Sequence, residues 1–321
     1  VCVEYAVSSV IPLLDLHVIF TTWFSYATKV FHQKLIRACV DIIGMRFQEI
    51  ISSEDWEKTW LSLDRDQLVE ILRSNSLVVR NEAALWEAVQ RWLMAPGHPE
   101  RTGATAAPLM SQVLPLVRFS FMSPDDLSVV EASPQSSQHQ KLFQPLISLA
   151  YKAHAVSLAT RAQSKDYNGQ QFLLRNYSEL RWDRRLVLKR EQLDRGLDHE
   201  FKISTRSYTL PCQPWSWTLR LSTQGSFSSA AAGEDALRIF LHAEAIDQPR
   251  YIEFLVSFVD DKKILKSITS KNQFTKSRYS TELDVGERVS IRDLSAGTSP
   301  LLTNGELHLQ ISLKPPNGYD N

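Results

Sequence analysis

The chain has 321 residues, 43% of them hydrophobic and 22% charged, so it can bury real cores and is not a disordered or low-complexity polymer. Thirty-six basic side chains balance thirty-six acidic ones, which speaks against a dedicated nucleic-acid binder with its usual basic excess. The length suits two or three domains of about 100–200 residues.

In chain order, Val3, Val7 and Val10 share a helical face that Pro12 interrupts. Residues 1–10 read as an exposed apolar patch prone to self-association, while Leu13, Leu16 and Phe20 pack on the helices after them. Trp23, Ala27, Val30, Phe31, Leu35, Ala38, Ile42 and Ile43 mark one face of a helix, with Thr21 or Thr22 as its cap. Asp64 opens a second helix with Gln67 at the capping-box position. Asn81 caps a third, carrying Leu85, Trp86, Val89, Trp92 and Leu93, and Pro96-Gly97 stops it. The small-residue stretch 95–107 reads as a mobile connection without a functional role. A short helix comes next through Leu109, Val113, Leu114 and Leu116, and Ser123-Pro124-Asp125-Asp126 is a strong helix start. Leu142, Phe143, Leu146, Ile147, Ala150 and His154 define the last helix.

Near residue 160 the apolar period changes from 3.6 to 2, which places a domain boundary between 160 and 172. Trp215, Trp217, Leu219 and Leu221 alternate with Ser216, Thr218 and Arg220. The same alternation recurs in Ile252, Phe254, Val256 and Phe258 and in Leu237, Ile239 and Leu241, with Val187 in a further candidate. It recurs again in Leu307, Leu309, Ile311 and Leu313, with Glu306, His308, Gln310 and Ser312 outward. Turn signals at Gly225, Gly233, Gly286, Gly297 and Asn304-Gly305 punctuate these runs, and Pro315-Pro316 marks the exit from the last. The pattern predicts an antiparallel sandwich.

Little in the sequence points to catalysis. His199-Glu200 and His242-Ala243-Glu244 are isolated, and no Walker loop, GxGxxG, His-Glu-x-x-His or Gly-x-Ser-x-Gly occurs. Cys2, Cys39 and Cys212 cannot form a disulfide framework, no two of them have metal-ligand spacing, and they leave the redox compartment undecided. No cofactor or metal is expected, and no apolar run is long enough to cross a bilayer. Trp56 and Trp60, one helical turn apart, read as core, and His154 as a satisfied boundary histidine. Arg181, Trp182, Arg184 and Arg185, followed by Lys189 and Arg190, form a basic cluster diluted by Asp183, Glu191 and Asp194. It is read first as a solvated face and second as a contact for an acidic partner or phosphates. Asn176-Tyr177-Ser178 is an N-glycosylation sequon, which permits secretion without requiring it.

Residues 22–160 resemble a BACK domain, the helical module that follows the BTB domain in BTB-BACK proteins. The resemblance runs from Tyr26-Ala27 through Leu35-Ile36-Arg37-Ala38-Cys39 to Phe47, Trp56 and Leu63. It continues with Leu68-Val69-Glu70-Ile71-Leu72-Arg73-Ser74, Leu77-Val78-Val79, Trp92-Leu93 and Val117-Arg118-Phe119. Residues 4–10 resemble the last helix of a BTB domain. Leu174-Arg175-Asn176-Tyr177, Trp182, Trp215-Ser216-Trp217 and residues 301–309 resemble a TRAF-like (MATH) sandwich. The resemblance implies an α+β chain of two domains. Residues 1–20 would be a BTB remnant and linker, 21–162 a BACK-like helical bundle, and 170–316 an antiparallel TRAF/MATH-like β-sandwich. It implies a non-catalytic protein-interaction chain whose partners are other proteins, with no nucleic acid, and homo-oligomerisation through the BTB domain of the full-length protein. Two compartments stay open. One is a secreted or matrix-associated scaffold or adhesion glycoprotein, the favoured reading. The other is a cytoplasmic adaptor for a cullin-3 ubiquitin ligase.

Overall fold

The computed structural model describes residues 2–194, 198–209, 211, 213–222, 237–283, 285 and 289–315. Cys212, Gly225, Gly233, Gly286 and Pro316 lie outside the described residues. The chain divides into two compact units, and the division is not a single cut. Val1–Ala155 and Gln170–Glu179 make the first, Val156–Gly169 and Leu180–Asn321 the second. The change of apolar period at residue 160 therefore does not coincide with the division, because a helical segment belongs to the strand-rich unit and a ten-residue segment beyond it belongs to the helical one.

The first unit is helical. Residues 16–29 wind as one helical run, wide over Ile19–Phe24 and regular over α1 (Ser25–Lys29). Then come α2 (Gln33–Met45), α3 (Phe47–Ser52), α4 (Glu54–Leu61) and α5 (Arg65–Arg73). A two-residue strand β1 (Val78–Val79) precedes α6 (Glu82–Leu93), α7 (Ala107–Val113), α8 (Pro124–Glu131) and α9 (Gln140–Ala155). Strand β2 (Asn176–Tyr177) returns to pair in parallel with β1. The caps read from the sequence form as expected. Asp64 and Gln67 make a reciprocal capping box at α5, Asn81 accepts from the Ala84 N–H, and Ser123 does the same with Asp126 at α8. At the centre of the unit Trp86, Phe119 and Phe143 form a triangle of tilted rings 5.6–6.2 Å apart.

Three expectations need correction here. The face drawn from Trp23 to Ile43 is not one helix. The chain breaks after Lys29, Phe31 takes a left-handed backbone (φ 52°), and His32 caps α2. Val30 and Phe31 are consequently exposed, and the cap of the earlier run is Asp15, while Thr21 bonds back to the His17 carbonyl. Second, residues 2–10 do not stand uncovered. Val3, Ala6 and Val7 pack partly against the helical core, and Glu4 pairs with Lys34 at 2.8 Å, which lowers the Glu4 carboxyl to about 2. Pro12 starts a tight turn of helix and the chain extends at Leu14, so Ile11, Leu16 and Phe20 are buried, whereas Leu13 is exposed. Third, the stretch 95–107 is anchored. Arg101 is buried, donates to the carbonyls of Leu61, Leu63 and Trp92, and lies 3.8 Å over the Trp92 ring. Trp92 in turn donates its ring N–H to the Leu63 carbonyl, and Trp60 to that of Ala88.

The second unit is a two-sheet antiparallel sandwich, and the helix α10 (Leu158–Gln163) packs on its strands. Its strands are β3 (Asp183–Leu188), β4 (His199–Thr205), β5 (Trp215–Ser222), β6 (Arg238–Ala243), β7 (Arg250–Val259), β8 (Ile264–Phe274) and β9 (Ser280–Leu283). The helix α11 (Ile291–Ala296) then leads to β10 (Leu302–Thr303) and β11 (Glu306–Lys314). One sheet runs β10-β11-β7-β8, with β3 also paired to β11; the second runs β4-β5-β6-β9. Trp217, Leu219 and Leu241 from one sheet and Phe254, Val256, Leu309 and Ile311 from the other fall in a single buried cluster, as the alternation predicts. Asn304 and Gly305 both take positive φ (54° and 81°) in the two-residue turn between β10 and β11, the conformation that suits Asn-Gly in a tight hairpin. On the outer face of β7, Glu253 accepts from the Ala159 N–H, while Lys314 of β11 reaches the Val156 carbonyl.

Candidate functional site

The basic cluster of the sequence lies along β3 and the residues leading into it. This strand pairs with β11 over Asp183–Leu188, and side chains of a strand alternate between faces. Arg184, Leu186 and Leu188 stand opposite the inward-facing Ile311, Leu309 and Leu307, while Asp183, Arg185 and Val187 stand opposite Ser312, Gln310 and His308. Consecutive arginines are thereby sent to opposite faces and do not form one patch. Burial lowers the pKa of the half-buried Arg184 guanidinium, and nearby Asp183 offsets part of that shift. Arg181 grips Asp183 through Nε at 2.8 Å. Trp182 sets its ring edge-on to Trp215, 6.0 Å away, and its carbonyl accepts from the Leu313 N–H at 2.7 Å. Arg185 reaches His308, Nη2 to Nδ1 at 2.6 Å. Lys189 is exposed, and Arg190 donates to the carbonyls of Leu294 and Ser295, closing the C-terminal end of α11.

Asn176 precedes this cluster by a few residues but belongs to the helical unit. Its side chain is exposed at the start of β2, with Nδ2 donating to the Ser76 carbonyl at 3.0 Å. His199 stacks edge-on to Phe201, and His242 lies between Phe240 and Tyr279. His154 donates from Nε2 to the Met122 carbonyl, 2.8 Å away. Trp60 is fully buried, and Trp56 is half-buried against Phe20 and His17. Among the described residues no group of three or more His, Cys, Asp or Glu could hold a metal ion, and no helix is long and apolar enough to cross a membrane.

Sequence reasoning missed a buried polar centre in the helical unit. Glu82, with no exposed surface, accepts from the Arg118 N–H at 2.8 Å and the Tyr177 hydroxyl at 2.7 Å, and lies 3.4 Å from Arg175 Nε. Arg175 also donates to the carbonyls of Leu72 and Leu116, at 2.8 Å each, and to that of Ser74. It thus satisfies carbonyls left open at the end of α5. Arg118 donates to the Leu173 carbonyl and to Asn75, and Gln171 to the carbonyls of Pro115 and Val117. The local signal was slight: Glu82 immediately after a capping Asn, and two arginines inside apolar runs. In the sandwich, Arg250 is likewise buried, its guanidinium 4.6 Å from the Trp215 ring and 5.4 Å from that of Trp217.

Comparison with known proteins places this geometry in context. Residues 20–131 match the family model described as BACK (BTB And C-terminal Kelch). A Xenopus tropicalis protein named BTB/POZ domain-containing protein 17 is 23% identical over 312 residues, covering 92% of this chain and 64% of its own length. The Homo sapiens protein of the same name is 26% identical over 161 residues, covering 50% of this chain and 31% of its own length. The chain thus spans less than two thirds of the curated relatives that it matches.

Proposed function

From a chain that carries a BACK domain and is similar along most of its length to BTB/POZ domain-containing protein 17, we infer a non-catalytic protein-binding role. The observation that carries the reading is the extent of that similarity, which runs through the helical unit and on into the sandwich. The sandwich, read as TRAF-like, is the recognition module, and the helical unit is its support. The contact residues in this reading lie along the β3 edge: Arg181, Trp182, Arg184 and Arg185. The full-length protein is a homo-oligomer through a BTB domain, as BTB-BACK proteins are.

The proposed setting is a secreted or matrix-associated scaffold. It is supported by the exposed side chain of Asn176 within its sequon, which would carry the glycan. A second reading, a cytoplasmic adaptor of a cullin-3 ubiquitin ligase, draws support from the free thiols of Cys2 and Cys39, which suit a reducing compartment. One experiment separates the two. The chain, expressed through the secretory pathway beside its Asn176→Gln variant, is tested for a glycosidase-sensitive mobility shift. The purified product is then titrated against a panel of matrix proteins and against the cullin-3 N-terminal region. An Asn176-dependent glycan with saturable matrix-protein binding supports the scaffold. Binding to cullin-3 alone replaces it with the adaptor, and binding to neither refutes the interaction role on these partners.

A further inference from the structure

We infer that the Arg185–His308 contact is an acid-sensitive latch that holds the edge strand β3 against β11. The argument starts from hydrogen-bond chemistry. A guanidinium has only donors. With Arg185 Nη2 at 2.6 Å from His308 Nδ1, that ring nitrogen must be the acceptor, so the imidazole is neutral. Its proton sits on Nε2, which faces Glu306 Oε2 at 3.3 Å. A second proton on the ring turns Nδ1 into a donor, and two donors then face each other across 2.6 Å. The latch must open.

The surroundings reinforce this. His308 is 7% exposed. The charged groups that act on it are Arg185 from β3, Glu306 from its own strand and Asp261 from the turn between β7 and β8. Burial and the Arg185 charge lower its pKa, while the two carboxylates oppose them. The unfolded histidine takes its proton near pH 6.5, the folded one only below that. The stabilisation is whole above about pH 6.5 and is lost as the pH falls through the interval between the two values. The strand concerned is a terminal one. Among the described strands β3 pairs with β11 alone, so weakening that seam frees Leu186 and Leu188 from their places opposite Leu309 and Leu307.

The test is hydrogen–deuterium exchange of the full chain and its His308→Gln variant, compared at the same pH. Glutamine offers Arg185 an acceptor that does not titrate. At about pH 7.5 the two should protect residues 183–188 equally. At about pH 5.5 the unsubstituted chain should exchange there faster than the variant, by at most about tenfold, the ceiling that an unfolded pKa near 6.5 sets at this pH. An NMR titration of His308 in the unsubstituted chain stands even if the variant does not fold. It should show the Nε2–H tautomer at neutral pH and protonation below about pH 6.5. A chain-to-variant exchange ratio that does not change with pH, or a His308 that protonates at or above about pH 6.5, overturns the latch.

Discussion

Replacing Arg175 by methionine keeps the volume of the side chain and removes its charge and its donors. Three carbonyls, of Leu72, Ser74 and Leu116, lose their partner, and Glu82 loses the cation 3.4 Å away while keeping the Arg118 N–H and the Tyr177 hydroxyl. Removing one member of a buried ion pair typically costs about 3–5 kcal/mol, because the remaining charge stays in the interior. Arg175 is 1% exposed and Glu82 not at all, so water cannot substitute. The expected loss is therefore about 3–5 kcal/mol in the helical unit, read by urea denaturation of the full chain followed through its helical circular dichroism. Adding Glu82→Gln to the Arg175→Met background removes the stranded charge, and the pair should couple by about 0.5–3 kcal/mol in a double-mutant cycle. A single-variant loss below about 1 kcal/mol, the size of a surface change, with no coupling, would refute the view that this centre closes the unit.

Three further outcomes are expected. Phe254→Ala, at a fully buried site facing Phe274, should destabilise the sandwich by about 3–5 kcal/mol in equilibrium denaturation, and a loss under about 1 kcal/mol would mean that the inward face is misassigned. Burial pushes the Cys39 thiol up to about 12, so in the native chain at neutral pH an alkylating reagent should label Cys2 and spare Cys39 until urea is added, as mass spectrometry of the labelled peptides can show. Phe31→Gly should leave the helical unit unchanged or stabilise it by up to about 1 kcal/mol, since it relieves a left-handed backbone at an exposed site while adding chain entropy; a loss above about 2 kcal/mol would show that the ring is packed.

The parts of this fold that can be read from the sequence are those governed by near neighbours. The caps at Asp64, Asn81 and Ser123 form because the acceptor and the N–H it serves are three residues apart. The β-strands are legible because alternation is a property of each strand alone. Phe31 misleads for the same local reason: apolar residues on both sides of a break imitate a continuous face, and nothing nearby announces a positive φ. Arg175 cannot be placed from its neighbours, since its carbonyl acceptors lie 59 to 103 residues away. The candidate contact cluster is visible as composition, but strand geometry divides it between two faces of a sheet. His308 reads only as an outward residue of its strand, because pairing with β3 is what brings Arg185 to its ring.

Synthesis on the ribosome delivers a chain from one end, and the interleaved division of this one has a temporal consequence. Glu82 emerges 93 residues before Arg175, about 5–20 s earlier at ordinary elongation rates. Throughout that interval the nascent helices hold a carboxylate without its cation and a helix end without its donor. Between the two arrive residues 156–169, which belong to a sandwich whose first strand has yet to be made. The helical unit cannot finish before residue 179 is free of the ribosome, so it is the tail of the first unit, and not its length, that times its completion. Chaperones that bind emerging chains have this window in which to act, and a pause in translation placed once residue 179 has cleared the ribosome would favour the native order of assembly over one placed when only residue 155 has.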